Sequence, residues 1–383
     1  MMSKDVTGNL WVNPMTQVKL TPNKSCTVLN VSCDYIRCEF EKKSSTESWT
    51  HMVFLDELDF PMNVITENNV HVRDKIEPKL NTTVSSGKAG GMHLNYHNET
   101  GGVKYSELYA VAEEDTMLPT AFQHRLLETV RFVTSTFVSW VMNETFQDGI
   151  RTLELCKLRL ANKGIIPEPL DARGNDKDFY QLLDRYFQYS LENAQGENYA
   201  PLSTKLGGLY PLKEVWLDTI ALMIGVAVES VMKDLPDFAK PEQALLDEVT
   251  VISNAIEATS VGENTKKRAL GSISGIKSSR VEDKLRFLKN IGVITDDVIA
   301  QWKNLRNKTA HGSLHVDPRL LQELLNDIYS VMTLINKLVF LRIGYDGKYS
   351  DYSQTGWPIK DFKASTFKEK ISQPPNISVD TRP

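Results

Sequence analysis

Residues 295–343 read TDDVIAQWKNLRNKTAHGSLHVDPRLLQELLNDIYSVMTLINKLVFLRI and predict two helices with a short turn between them. Thr295 caps the first helix. Asp296 and Asp297 are favourable in its first turn, where unpaired amides leave positive charge. The helix runs to about Ala310 and stops at Gly312. Asp317-Pro318 then supplies an N-cap followed by proline at the first helical position. From Arg319 to about Ile343, residues Leu320, Leu324, Ile328, Val331, Leu334, Ile335, Leu338 and Leu341 recur at the spacing of one helix face. Two amphipathic helices so joined must bury their apolar stripes on further helices, so this end of the chain predicts a helical bundle.

Working outward, residues 206–345 form the expected bundle. Its first helix is Glu214 to Lys233, stopped before Pro236, and a second spans about Pro241 to Ala258. A flexible basic connection follows from Gly262 to Ser279, with Lys266-Lys267-Arg268 and Gly271 to Gly275, and then a helix near Glu282 to Asn290. The N-terminal texture differs. Residues 1–115 predict a β-rich sensor or regulatory domain, with strands in Thr27–Phe40, Trp49–Leu55, Val64–Val72 and Tyr105–Val111. Turns are expected at Thr21-Pro22-Asn23, at Ser85-Ser86-Gly87 and at Gly90-Gly91. Residues 116–205 predict a helical connecting region. Phe122, Leu126, Leu127, Val130, Val133, Phe137, Val138 and Val141 fall at helical spacing, Leu153–Leu160 and Phe179–Leu191 suggest more helices, and Ala194 to Gly208 is a boundary loop. Residues 346–383 predict an irregular tail. The fold class is α+β and multidomain, a β-rich N-terminal domain followed by helices and a C-terminal all-α bundle.

Composition narrows the function. A net charge of −5 on 383 residues excludes a globally basic nucleic-acid coat. Cys26, Cys33, Cys38 and Cys156 make neither a disulfide framework nor a zinc pattern and read as free or structural thiols. The start has no apolar signal core, and the most apolar run, Thr219–Val228, is about half a bilayer span. These features predict a cytoplasmic protein with no membrane partner. Trp140, Trp216 and Trp302 sit at helical core spacing and read as packing residues. No phosphate-binding glycine loop, dinucleotide fingerprint or nucleophile elbow occurs, and no cofactor is expected.

The informative chemistry lies in Leu305 to Gly312. Arg306 is a permanent cation able to hold phosphate bidentately, and His311 can exchange a proton near neutral pH. Five residues apart on a helix, the two point about 140° apart. They cannot grip one small atom together, but they suit two sides of a groove along a polymer, or a site completed by a second copy. Between Glu263 and His311 the chain carries eleven Lys or Arg against five Asp or Glu, a basic segment on an acidic protein. That segment includes Lys266, Lys267, Arg268, Lys303 and Lys308, which read as phosphate contacts. Competing readings are a solvated loop and a helix end whose dipole favours His311 without catalysis.

The segment Glu282 to Tyr345 resembles the C-terminal half of a HEPN domain (higher eukaryotes and prokaryotes nucleotide-binding). The superfamily's Arg-x4-6-His signature, often with Asn after Arg, is matched by Arg306, Asn307 and His311, placed between the last two long helices. Glu229 and Lys233 match the E-x3-K/R element of many catalytic members. The β-rich N-terminus, the helices near 122–146 and Gly344 to Tyr349 resemble, more loosely, ApeA-like HEPN proteins of anti-phage defence. The resemblance implies a metal-independent endoribonuclease, active as a homodimer, that leaves 2′,3′-cyclic phosphate and 5′-hydroxyl ends. It implies His311 as general base or acid, Arg306 stabilising phosphate charge, Asn307 orienting the pair, and Glu229 and Lys233 supporting them. It also implies RNA as substrate and an infection trigger acting through the N-terminal domain. The alternatives are a non-catalytic HEPN module that dimerises and binds RNA or a partner, and a helical adaptor with no nucleic-acid role.

Overall fold

The computed structural model describes residues 8–12, 16–20, 35–41, 48–55, 58–61, 64–72, 75–89, 92–99, 105–112, 118–119, 121–156, 162–163, 166–196, 198–210, 215–235, 238, 243–277, 279–310 and 321–372. The readings at Thr21–Asn23, Gly90–Gly91, His311, Gly312 and Asp317-Pro318 lie outside them. The chain divides into two compact units. One comprises residues 1–215 with 347–351 and 357–361, and the other residues 216–346 with 352–356 and 362–383.

The first unit is built on antiparallel strands: β1 (Gly8–Val12), β2 (Thr16–Leu20), β3 (Tyr35–Glu41), β4 (Trp49–Leu55), β5 (Val64–Val72), β6 (Lys75–Ala89), β7 (Met92–Glu99) and β8 (Tyr105–Ala112). Helix α1 (Phe122–Thr134) follows, then β9 (Thr136–Phe137), β10 (Trp140–Gln147), β11 (Ile150–Cys156), β12 (Asn162–Lys163), α2 (Asp176–Asn193) and α3 (Pro201–Leu206). Ten strands form one sheet in the order β2-β1-β3-β11-β10-β4-β8-β7-β6-β5. The period-2 pattern of β4 buries Thr50, Met52 and Phe54, and β8 buries Ser106, Leu108 and Ala110, with Thr50 opposite Ala110.

Residues 116–205 are therefore not a helical connection. Helix α1 ends at Ser135, in the left-handed region at φ 46°, so Val138 and Val141 fall beyond it. Asp148 and Gly149, both with positive φ, close a two-residue hairpin in which Gln147 faces Ile150. That turn matches the right-handed twist of paired strands and joins β10 to β11 in the middle of the sheet. The expected helix at Leu153–Leu160 is thus strand β11 up to Cys156. The expected turn at Ser85–Gly87 also lies inside a strand, β6.

The loop expected to end a domain at residue 205 is instead bolted to α1. Arg125 and Glu128, 1% and 2% exposed, form an ion pair one helix turn apart. Arg125 Nη2 donates to the carbonyls of Gly196 (3.0 Å) and Asn198 (2.6 Å), and the Ala200 amide donates to Glu128 Oε2 (2.8 Å). Burial pushes the Glu128 carboxyl up, against the pull of Ser203, the Ala200 amide and Arg125. Phe132 of α1 stacks on Tyr186 of α2 with ring centres 4.3 Å apart.

The second unit holds α4 (Leu217–Met232), α5 (Gln243–Glu257), α6 (Glu263–Ser274), α7 (Val281–Asn290), α8 (Asp296–Ala310) and α9 (Leu321–Ile343). The basic segment expected to be a flexible connection is helix α6, which packs on α5. Helices α4, α8 and α9 pack on one another around Ile224, Val228, Trp302, Leu305, Val331, Ile335 and Leu338. Helix α9 is long and apolar enough to cross a membrane, yet 72% of its apolar window is buried. Trp302 is a core residue, as is Trp140 on strand β10, but Trp216 at the start of α4 is 85% exposed and is no packing residue.

Over its described residues the expected irregular tail is instead β13 (Asp346–Ser350), β14 (Ile359–Lys363) and α10 (Ala364–Ser372). Its aromatic residues explain this: Phe340 of α9 packs on Tyr345 and Phe362, ring centres 5.0 and 5.5 Å apart.

Candidate functional site

The site sits where α8 crosses α4. Gly225 permits the crossing. A Cβ there would lie 3.5 Å from Arg306 Cα, so no larger side chain separates the two backbones. Trp302 fixes the register by donating its indole N–H to the Gly225 carbonyl over 3.1 Å. One turn beyond Gly225 on α4 stands Glu229. One turn beyond Trp302 on α8 stands Arg306. The crossing brings these two together, and Arg306 Nε donates to Glu229 Oε1. The arginine side chain is 50% exposed and the glutamate 28%, so the pair faces solvent at the rim of the core.

Of the other residues singled out in the sequence, Asn307 is exposed beside Arg306, and Lys233 is exposed at the end of α4, one turn past Glu229. Lys308 belongs to the last turn of α8. Lys303 is engaged: its ammonium lies 2.6 Å from Glu282 Oε1 on α7. Lys266, Lys267 and Arg268 lie on α6, where the Lys266 ammonium donates to the Glu257 carbonyl over 2.8 Å and so ties α6 to the end of α5.

Sequence reasoning missed Glu282, which meets Lys303 at the surface, and Arg286, which shares that carboxylate. Glu282 and Arg286 are four apart on one helix, and that spacing signals a pair. Their link to Lys303 requires the packing of α7 on α8. Lys303, and then Arg286, hold the Glu282 carboxyl below its ordinary value.

No family model matches the chain, and neither a curated protein nor a solved structure matches it. Among the described residues no three His, Cys, Asp or Glu side chains cluster as a metal site.

Chemically, the arrangement offers a permanent cation oriented by a carboxylate, an exposed amide beside it, and further cations along the same helix. Guanidinium and amide groups suit phosphate oxygens.

Proposed function

We propose that the chain is a metal-independent endoribonuclease of the HEPN type. The observation that carries this reading is the pairing of Arg306 with Glu229. Two motifs recognised separately, 77 positions apart, meet at one point on the bundle surface. A motif match arising by chance in α8 has no reason to find its companion on α4. In this reading α4, α7, α8 and α9 are the HEPN-like bundle.

The proposed mechanism is attack of an RNA 2′-hydroxyl on the adjacent phosphorus. His311 takes or delivers the proton. Arg306, its plane set by Glu229, stabilises the charge that grows on the phosphate oxygens. Asn307 orients the phosphate by hydrogen bonds, and Lys233 adds positive charge near the path of the strand. The products are a 2′,3′-cyclic phosphate and a 5′-hydroxyl. The active species is a homodimer, and the β-rich unit holds the nuclease in check until an infection signal arrives.

A second reading is a non-catalytic module that binds RNA or a partner. It is favoured by the carboxylate already seated on Arg306. One experiment separates the two: incubation of purified protein in EDTA with single-stranded RNA and with tRNA, beside His311→Ala. Cleavage by the wild type alone, with cyclic phosphate ends, in buffer or once extract from infected cells supplies the signal, is the expected result. Equal cleavage by both proteins would remove His311 from the mechanism. RNA binding by both proteins without cleavage, in extract from infected cells as well as in buffer, would favour the binding module.

A further inference from the structure

Helix α7 and helix α8 share one carboxylate between two cations. Glu282 Oε1 accepts from Arg286 Nε (3.0 Å) and Nη2 (2.7 Å), and from the Lys303 ammonium (2.6 Å). One negative charge therefore gathers two positive ones, leaving a net positive charge at a surface point. Both cations remain open to solvent: the Arg286 side chain is 59% exposed and the Lys303 side chain 37%.

This cluster is not needed to fasten α7 to α8. Leu285 and Leu288 of α7 are fully buried, and Lys289 pairs with Asp296 over 3.0 Å where the two helices join. Two other lysines are spent on carbonyls of the connection between α7 and α8: Lys337 donates to Val293 and Lys370 to Ile291, each over 3.2 Å. Arg286 and Lys303 are instead held side by side at the surface.

Their position gives the cluster its meaning. Lys303 precedes Arg306 by three residues, about 4.5 Å along the axis of α8, and α4 and α7 both pack against α8 and touch each other. Arg286, Glu282, Lys303, Arg306 and Glu229 thus form a continuous charged ladder across three helices, with three cations to two carboxylates. A single-stranded polyanion lying along α8 meets a second cationic seat one step from the first.

We propose that Arg286 and Lys303, gathered by Glu282, seat the phosphate next to the one held at Arg306. The ligand is a single-stranded nucleic acid of several nucleotides, not a mononucleotide. The inference rests on the RNA reading for its substrate, and its test is separable from that reading. Arg286 contacts the neighbouring phosphate, and Glu282 is a positioning residue acting through the two cations.

The test is equilibrium binding of the full chain to a short single-stranded RNA made uncleavable by 2′-O-methyl groups, across a salt series. Each phosphate contact on a single strand contributes about 0.7 to the slope of log affinity against log salt. The double variant Arg286→Gln with Lys303→Gln is expected to flatten the slope by about 0.7 and to weaken binding several-fold at low salt. The charge-keeping variant Arg286→Lys with Lys303→Arg is expected to retain the slope. Should the double variant melt early, Arg286→Gln alone, which leaves the Lys303–Glu282 pair in place, carries the same comparison. An unchanged slope and affinity in folded protein overturns the seat, as does an absence of RNA binding by the wild type. A flattened slope in the double variant, with no cleavage of ordinary RNA in buffer or in extract from infected cells, keeps the seat and removes the nuclease reading. Normal cleavage with an unaltered slope does the reverse.

Discussion

Arg306 and Glu229 form an ion pair across the α4–α8 crossing, with the arginine Nε donating to one carboxylate oxygen. The pair is half exposed, so its contribution to stability is below about 1 kcal/mol. Its consequence is orientation, since a hydrogen bond from Nε limits how the guanidinium can turn.

That relationship predicts epistasis in cleavage. Arg306→Ala should lower metal-free RNA cleavage about a hundredfold or more, the usual cost of losing a donor aimed at developing charge. Glu229→Ala should cost less, and the double variant should be no worse than Arg306→Ala, because Glu229 acts through Arg306. Single-turnover rates of the three variants check this. Losses that multiply would show that Glu229 works independently. Melting temperatures of all three should stay near the wild-type value.

Gly225 predicts a sharp dependence on side-chain size. A methyl group there meets Arg306 Cα at 3.5 Å, an ordinary contact. Gly225→Ala should be tolerated, and the gain in helix propensity should stabilise the unit by about 0.5–1 kcal/mol. Gly225→Leu should force α8 away and cost about 1–3 kcal/mol. It should also lower cleavage, because Arg306 leaves Glu229. Denaturant titration beside the cleavage assay measures both effects.

The buried Arg125–Glu128 pair predicts a large asymmetry between single and double replacement. Arg125→Met leaves a carboxylate that is 2% exposed without its cation and frees the Gly196 and Asn198 carbonyls. It should cost about 3–5 kcal/mol. Arg125→Met with Glu128→Leu should recover part of that loss. Urea midpoints decide the matter, and equal losses in both variants would contradict it.

Glu282 predicts a pH effect with a definite sign. Lys303 and Arg286 lower its carboxyl in the folded chain, so the folded state binds fewer protons than the unfolded state in the acid range. The stability it contributes is present above the ordinary carboxylate value and is lost as pH falls through the depressed one. Glu282→Gln should flatten that part of the acid-unfolding curve. Measuring unfolding free energy against pH for both proteins checks it.

Much of the second unit was legible in the chain. Helices α4, α7, α8 and α9 follow from apolar residues three or four apart and from breakers such as Pro236, because a helix that buries one stripe must repeat it. Strands β4 and β5 were equally plain, being β-branched runs bounded by turns. The failures near Val141 and Leu153 share one cause. Around Val141 and Leu153, short apolar segments fit a helix period and a strand period alike, and Asp148-Gly149, the local sign of a hairpin, decides between them only when weighed against the neighbouring strands. The tail after Tyr345 looked irregular because its aromatic residues lack a period. They find their partners on α9.

For the site, the sequence by itself determined the residue types: the Arg306-Asn307 step at a helix end, Glu229 and Lys233 one turn apart, and the basic run that contains Lys303. Their placement on helices followed from local periodicity, which depends only on near neighbours. The tertiary structure alone decided that Arg306 meets Glu229, that Lys303 shares Glu282 with Arg286, and that α6 is a helix packed on α5. The first of those contacts joins helices 77 positions apart, and the other two join consecutive helices across a turn. They depend on which helix faces bury together and on Gly225 letting two backbones touch, and no local pattern encodes that choice.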